Sequence, residues 1–416
     1  MAEQPVRLTV SDNLQRSRLT VFFRLLLAIP HFVWWCLWTL AAVLTAVVNW
    51  VVTLVTGRSP NGLYIFLTSY VRYSTHLFAY VFLAANPYPM FTGRPGYPVD
   101  LEFDEPAPQR RWVTGVRLVL LIPALLLAAA FAGTGVAATG DKEQTAAGWG
   151  PGILITVALF GWFASLVLGR MPQGFRDLQV YGLRYLAEVG AYGLVLTDRY
   201  PNVDATATPA SGPDHPVGLT VDDDLRRSRL TVFFRLFLAL PHVVWIVLWS
   251  IAMIVVAFVT WLVALVIGRP PTSLHRFLSA YVRYTNHVYA YVALAANPFP
   301  GFTGRAGSYP VDPRLPPAER QRRLVTAFRL FLALPALAVS SAVSGLLLLG
   351  AFLGWFASLA LGRMPRSLRE AQAYALRYSA QVSAYLLLVT DRYPYSGPAL
   401  GSAEPALPEP RGETLT

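Results

Sequence analysis

The sequence predicts an all-α integral membrane protein of four repeated units. Each unit is expected to be a two-helix transmembrane hairpin plus an amphipathic interfacial helix, with short cytoplasmic β-strands preceding the hairpins. Three observations predict this: composition, an internal repeat and the placement of arginine. Of the 416 residues, 55% are hydrophobic and only 14% charged, against about a quarter charged in soluble domains, and the mean hydropathy is +0.45. Phe22-Phe23-Arg24-Leu25 returns as Phe233-Phe234-Arg235-Leu236, and His31, Gly57, Tyr70, Arg72, His76 and Asn86 all reappear 211 residues on. A fixed period of this kind marks one structural unit used again.

Within each half a more diverged unit follows, since Arg117-Leu118 and Pro123 echo Arg24-Leu25 and Pro30, and Gly169-Arg170 echoes Gly57-Arg58. The units span 5–93, 97–201, 216–304 and 309–394. They group into halves 1–201 and 216–394, joined by a polar linker at 202–215 and followed by a tail at 395–416 whose composition suits disorder. Short extended pieces at 5–10, 97–103, 215–221 and 309–312 open the units, and their alternation predicts strands that pair across units, the last shortened by Pro313.

The first apolar run, Leu25 to Val55, carries no charge. It is too long for one upright helix across about 30 Å of hydrocarbon and short for two. Unit two decides for two, because it holds a 19-residue insertion relative to unit four near Gly140-Asp141-Lys142-Glu143. Irregular charged backbone is not tolerated against lipid, so that point must lie outside the bilayer. In units one and three the alternative is a single bent helix, because 38–44 contains neither Gly nor Pro. Arginines cluster before each run (Arg16, Arg18, Arg110, Arg111, Arg226, Arg227, Arg229, Arg322, Arg323) and after it (Arg58, Arg170, Arg269, Arg363). The positive-inside tendency then predicts eight spans in the cell membrane with cytoplasmic termini. The net charge of +11 is absorbed by topology, and no nucleic-acid partner is implied. The first dozen residues are polar and suggest no cleavable signal, and the lone Cys36 excludes an intramolecular disulfide.

Arg24, Arg117, Arg235 and Arg329 lie six residues before Pro30, Pro123, Pro241 and Pro335. Near the cytoplasmic end of a span such arginines are expected to snorkel to water or phosphate, and the prolines to kink their helices. After each run comes Gly-Arg-x-Pro, a helix stop followed by a helix start, whose Arg58, Arg170, Arg269 and Arg363 could also hold a lipid phosphate. The next helix carries a polar strip at spacing four: Arg72, His76, Tyr80; Arg184, Glu188, Tyr192; Arg283, His287, Tyr291; Arg377, Gln381, Tyr385. Such a helix suits a membrane surface, although over 63–85 and 274–296 its apolar content also admits a crossing. Asn86, Asp198, Asn297 and Asp391 then open exit motifs, where Asn or Asp tolerates a left-handed terminus.

Candidate lipid- or partner-binding residues are therefore Arg58, Arg72, His76, Arg170, Arg184, Arg269, Arg283, His287, Arg363 and Arg377. The paired His31 and His242, and the strip histidines, could in principle hold a metal or relay protons. Yet Ala124, Ala336, Glu188 and Gln381 replace them in the other units, which favours interfacial hydrogen bonding; no metal or cofactor is expected. Arg184 and Glu188 fit an i,i+4 ion pair.

The repeated Phe-Phe-Arg-Leu-x-Leu-Ala-[Ile/Leu]-Pro-His, Gly-Arg-x-Pro and Asp-Arg-Tyr-Pro segments resemble the bacterial membrane family catalogued as domain of unknown function 4389. The resemblance covers 5–394 in tandem copies, and is to the actinobacterial version of the family, in keeping with Lys142 as the sole lysine. It implies a membrane protein with no established catalytic residues. The absence of His-Glu-x-x-His, Gly-x-Ser-x-Gly, a phosphate loop and acidic residues within the apolar runs argues against an enzyme. The expected role is a non-catalytic module that organises membrane lipids, anionic headgroups above all, or membrane protein partners at the cytoplasmic leaflet. The alternative is a small-molecule or lipid transporter or channel built from two parallel repeats, with a path lined by Asn49 and Thr45.

Overall fold

The computed structural model describes residues 4–133, 151–208 and 215–398. The tip of the unit-two insertion, the end of the linker and residues 399–416 lie outside the described residues. Unit one runs β1 (Val6–Val10), α1 (Arg18–Phe22), α2 (Arg24–Thr56) and α3 (Asn61–Val81). Unit two runs β2 (Val99–Phe103), α4 (Arg111–Ala132), α5 (Ile153–Leu168) and α6 (Gln173–Gly193), with a 3-10 turn at Ala205–Ala207. Unit three is β3 (Gly218–Val221), α7 (Arg229–Ile267) and α8 (Thr272–Val292); unit four is β4 (Val311–Arg314), α9 (Arg323–Leu361) and α10 (Arg366–Leu386).

The expected two-helix hairpin is corrected in units one, three and four, where the apolar run is one rod. α2 has 33 residues, and α7 and α9 have 39 each, without interruption. Nothing in 38–44 can turn the chain, and α2 runs straight through it. In unit two, α4 and α5 together take the place of α9. A Cβ on Gly152 would fall 2.1 Å from Gly133 N, so the two helix ends abut. Gln179 Nε2 donates to Leu154 O (2.8 Å) as Gln372 Nε2 does to Leu347 O (3.0 Å), and the Tyr185 hydroxyl donates to Ala124 O as the Tyr378 hydroxyl does to Ala336 O. An insertion marks where the chain can leave a rod, which need not be where it turns.

The long helices of each half lie antiparallel. Trp50 Nε1 near the end of α2 donates to Thr114 O near the start of α4 (2.8 Å), while Trp162 Nε1 near the end of α5 donates to Val21 O of α1 (2.9 Å). Trp261 to Thr326 O and Trp355 to Val232 O repeat the pattern at 2.9 and 3.0 Å. Arg18, Arg229 and Arg323 at helix starts donate to Val167 O, Ala360 O and Val266 O at the ends of their neighbours, cations where the helix dipole favours them.

The amphipathic helices pack between the long helices and the sheets. α3 turns back on α2 with contacts at His31 Nδ1 to the Tyr73 hydroxyl (2.8 Å), Trp35 Nε1 to Ser74 Oγ (3.0 Å) and Thr39 to the Tyr70 hydroxyl (2.9 Å). Its opposite face, through Tyr64, Arg72 and His76, meets β2 and the residue after it. In α3 the strip residues Arg72 and His76 are therefore polar because they face a sheet. Strands pair across units as predicted, β1 with β2 and β3 with β4, both antiparallel, with Val6 opposite Phe103 and Gly218 opposite Arg314. β4 runs through Pro313, which a two-stranded sheet accommodates on its free edge.

Three layers result: long apolar helices, amphipathic helices, then sheets. α6 and α10 occupy the centre, with the Tyr181 and Tyr374 rings 5.6 Å apart and the Tyr395 hydroxyl donating to the Asp177 carboxylate. The first residues of the stretches read as linker and tail are built into this centre, where Val203, Ala205 and Tyr395 are buried. Large exposed apolar side chains fall mostly on the long helices, as Leu230, Val266 and Leu324 do.

Candidate functional site

The predicted site residues separate into two sets. Arg72, His76, Arg184, Arg283, His287 and Arg377 sit on the amphipathic helices and are used internally; Arg58, Arg170, Arg269 and Arg363 sit at the corners and are exposed.

For the amphipathic helix of unit one the hub is Asp100 of β2, the strand that opens unit two. His76 Nε2 bonds its Oδ1 at 2.8 Å, Arg72 Nε lies 3.4 Å away, and the Gly96 and Leu101 amides donate to it at 2.6 and 2.8 Å. Burial pushes the Asp100 carboxyl up, but the bonds from His76, Gly96 and Leu101 outweigh it and hold it below the usual range. Unit three repeats the cluster: His287 Nε2 to Asp312 Oδ1 at 2.6 Å, Arg283 Nε at 3.3 Å and the Gly307 amide at 2.8 Å. These aspartates were visible as the repeated Tyr-Pro-Val-Asp, yet sequence reasoning assigned them only to strands.

Among the described residues the amphipathic helices of units two and four face no such strand aspartate, and the same arginine holds the segment that follows its own helix. Arg184 Nη2 donates to Asn202 O and Asp204 O, and Arg377 Nη2 to Tyr395 O and Gly397 O. Arg184 also pairs with Glu188 at 3.1 Å, the i,i+4 pair the spacing predicts. Glu188 Oε2 accepts the Asn202 amide (2.6 Å), and Gln381 Oε1 accepts the Tyr395 amide (3.0 Å). Burial pushes the Glu188 carboxyl up to about 7 against the pull of Arg184.

The arginines of the long helices are also internal, which corrects the expectation that they snorkel. Arg24 Nη1 donates to Tyr80 O and Ala85 O at 2.5 and 2.9 Å; Arg117 to Tyr192 O and Thr197 O at 2.7 and 2.8 Å; Arg235 to Tyr291 O and Ala296 O at 2.6 and 3.0 Å. Arg329 binds Tyr385 O and Thr390 O likewise. Each guanidinium also lies over the ring of the same tyrosine, 4.4 to 4.7 Å from its centroid. Orphan carbonyls at a helix terminus need donors, and here one arginine per unit supplies them. The left-handed residue of these termini is Leu83, Val195, Leu294 or Leu388, not the Asn or Asp expected; Asn86, Asn297 and Asp391 instead accept from Arg24, Arg235 and Arg329.

The corners behave as the Gly-Arg-x-Pro chemistry predicts, with Gly57, Gly169, Gly268 and Gly362 in the left-handed conformation and Pro60, Pro172, Pro271 and Pro365 capping the next helices. Gly57 O and Gly268 O accept the Gln109 and Gln321 amides, and Gly169 O and Gly362 O those of Arg16 and Arg227. Backbone pairing leaves the four corner side chains facing outward, although Arg269 donates to Ala318 O. Asn49, named for a transport path, is closed by Ser59 Oγ (2.6 Å) and donates to Leu194 O (3.1 Å). A cleft of about 180 Å³ lies under the first sheet, lined among others by Tyr64, Asp104, Gln109 and Arg199, away from the middles of the long helices. Among the described residues, no three His, Cys, Asp or Glu come together as a metal ion would require.

Among the described residues, four long apolar helices, each locked to an amphipathic partner, define a membrane protein built from one repeated unit. The chain belongs to the family described as Domain of unknown function (DUF4389), which matches residues 18–93, 151–203, 229–303 and 323–396. No curated protein and no solved structure matches it.

Proposed function

We propose that the chain is a non-catalytic membrane module that gathers anionic lipid headgroups at the cytoplasmic leaflet, alone or with a membrane protein partner. The observation that carries this is the division of the arginines. Arg72, Arg184, Arg283 and Arg377 have internal partners, whereas Arg58, Arg170, Arg269 and Arg363 end the apolar helices as exposed side chains, Arg269 with one bond to Ala318 O. A guanidinium beside an apolar face matches a phosphodiester above acyl chains. Replacing all four corner arginines by glutamine and measuring the phosphatidylglycerol retained through purification in mild detergent tests the reading. A clear fall in retained anionic lipid with an unchanged melting temperature is expected; unchanged retention refutes it.

A further inference from the structure

We infer that the long helices lie in the plane of the membrane, immersed in one leaflet, and do not cross it. This rests on the chain being a membrane protein and is independent of headgroup selectivity at the corners. At 1.5 Å per residue a 39-residue helix is about 58 Å long, and antiparallel contact at both ends puts the starts of α1 and α4 at opposite ends of the pair. Residues 11–17 lead from β1 to α1 and residues 104–110 from β2 to α4. Each linker spans at most about 27 Å. Because β1 and β2 are paired, the sheet must sit near the middle of the helix pair.

If the helices crossed a bilayer, that sheet would lie near its midplane. It carries an open ion network there: Arg7 bridges Asp104 at 2.9 Å and lies 3.7 Å from Glu102, with side chains 40%, 47% and 58% exposed. Exposed charges in hydrocarbon are prohibitive. The second half repeats the geometry, with β3 and β4 paired and α7 and α9 antiparallel. Turning the slab by a right angle removes the conflict. The exposed apolar faces of α2, α4, α5, α7 and α9 then enter the acyl layer together, arginines at both ends reach headgroups, and both sheets stand in water on one side. The occupant of the apolar face is thus the acyl region of a single leaflet.

Single cysteines at exposed Ser17, Leu40 and Asn61, in a Cys36→Ser background, test this in sealed vesicles of phosphatidylcholine and phosphatidylglycerol holding the protein in one orientation. In-plane insertion predicts that Ser17→Cys and Asn61→Cys react with a membrane-impermeant maleimide from the same side. Leu40→Cys should resist it from both sides and carry a spin label no deeper than the near leaflet. Reaction of Ser17→Cys and Asn61→Cys from opposite sides overturns the inference, as does reaction of Leu40→Cys from the far side. Repeating the assay in pure phosphatidylcholine separates it from the headgroup reading: unchanged sidedness with no anionic preference would refute only the latter.

Discussion

Units one and three and units two and four use the same pair of helices to hold different things. In the outer pair the arginine and histidine of the amphipathic helix grip an aspartate on a strand; in the inner pair the arginine grips carbonyls of the chain that follows. The residue four positions on changes accordingly: a histidine where it faces a carboxylate, a glutamate or glutamine where it faces an amide. The arginine is a constant docking post, and its neighbour adapts to the cargo. The inner helices are also drier, with the Arg184 side chain 5% exposed against 17% for Arg72, because the two halves meet there.

The sharpest way to break this comparison is to remove what both pairs share. Arg24→Leu in an outer unit and Arg117→Leu in an inner one each strip the donor from two buried carbonyls. With about 1–3 kcal/mol for each group left unsatisfied, both variants should lose about 2–6 kcal/mol in denaturant unfolding. A loss in one pair only would mean that the clamp is not common to the units. Next comes a feature of the outer pair alone. Gly93 has a φ of +60°, and an added Cβ would stand 2.2 Å from Ser69 O; Gly93→Ala should cost at least about 1–3 kcal/mol from strain, read by the same unfolding curves.

Acid should also act on the outer pair. The Asp100 carboxyl titrates in the folded protein below its unfolded value, so its contribution is whole above pH about 4 and disappears as pH falls through the lower folded value. Asp100→Asn should remove that acid dependence along with part of the stability at neutral pH. In the inner pair the sign reverses. Glu188 is raised from 4.5 to about 7, so stability declines as pH rises between these values and levels off above. Glu188→Gln, which copies the residue of unit four, should flatten that decline with little other effect. A large loss would show that the Arg184 ion pair outweighs burial.

Much of this was legible. The repeat announced itself in Phe-Phe-Arg-Leu, the corners in Gly-Arg-x-Pro and the strands in their alternation, because each depends on chemistry within a few residues. The partner of Arg72 was not legible, since Asp100 lies 28 residues away and only the sheet brings it near. The long arginines misled for a related reason. A charge near the end of an apolar run reads as seeking water until the returning helix presents its carbonyls. The hairpin misled because an insertion was equated with a turn.

In units one, three and four the apolar run is one extended rod. Spin labels at Ser17→Cys and Asn61→Cys, measured by dipolar spectroscopy in lipid nanodiscs, test it most directly. A single rod over α1 and α2 predicts a separation of about 58 Å, whereas a hairpin would bring the labels to about 10 Å, the spacing of packed helices, and contradict the account.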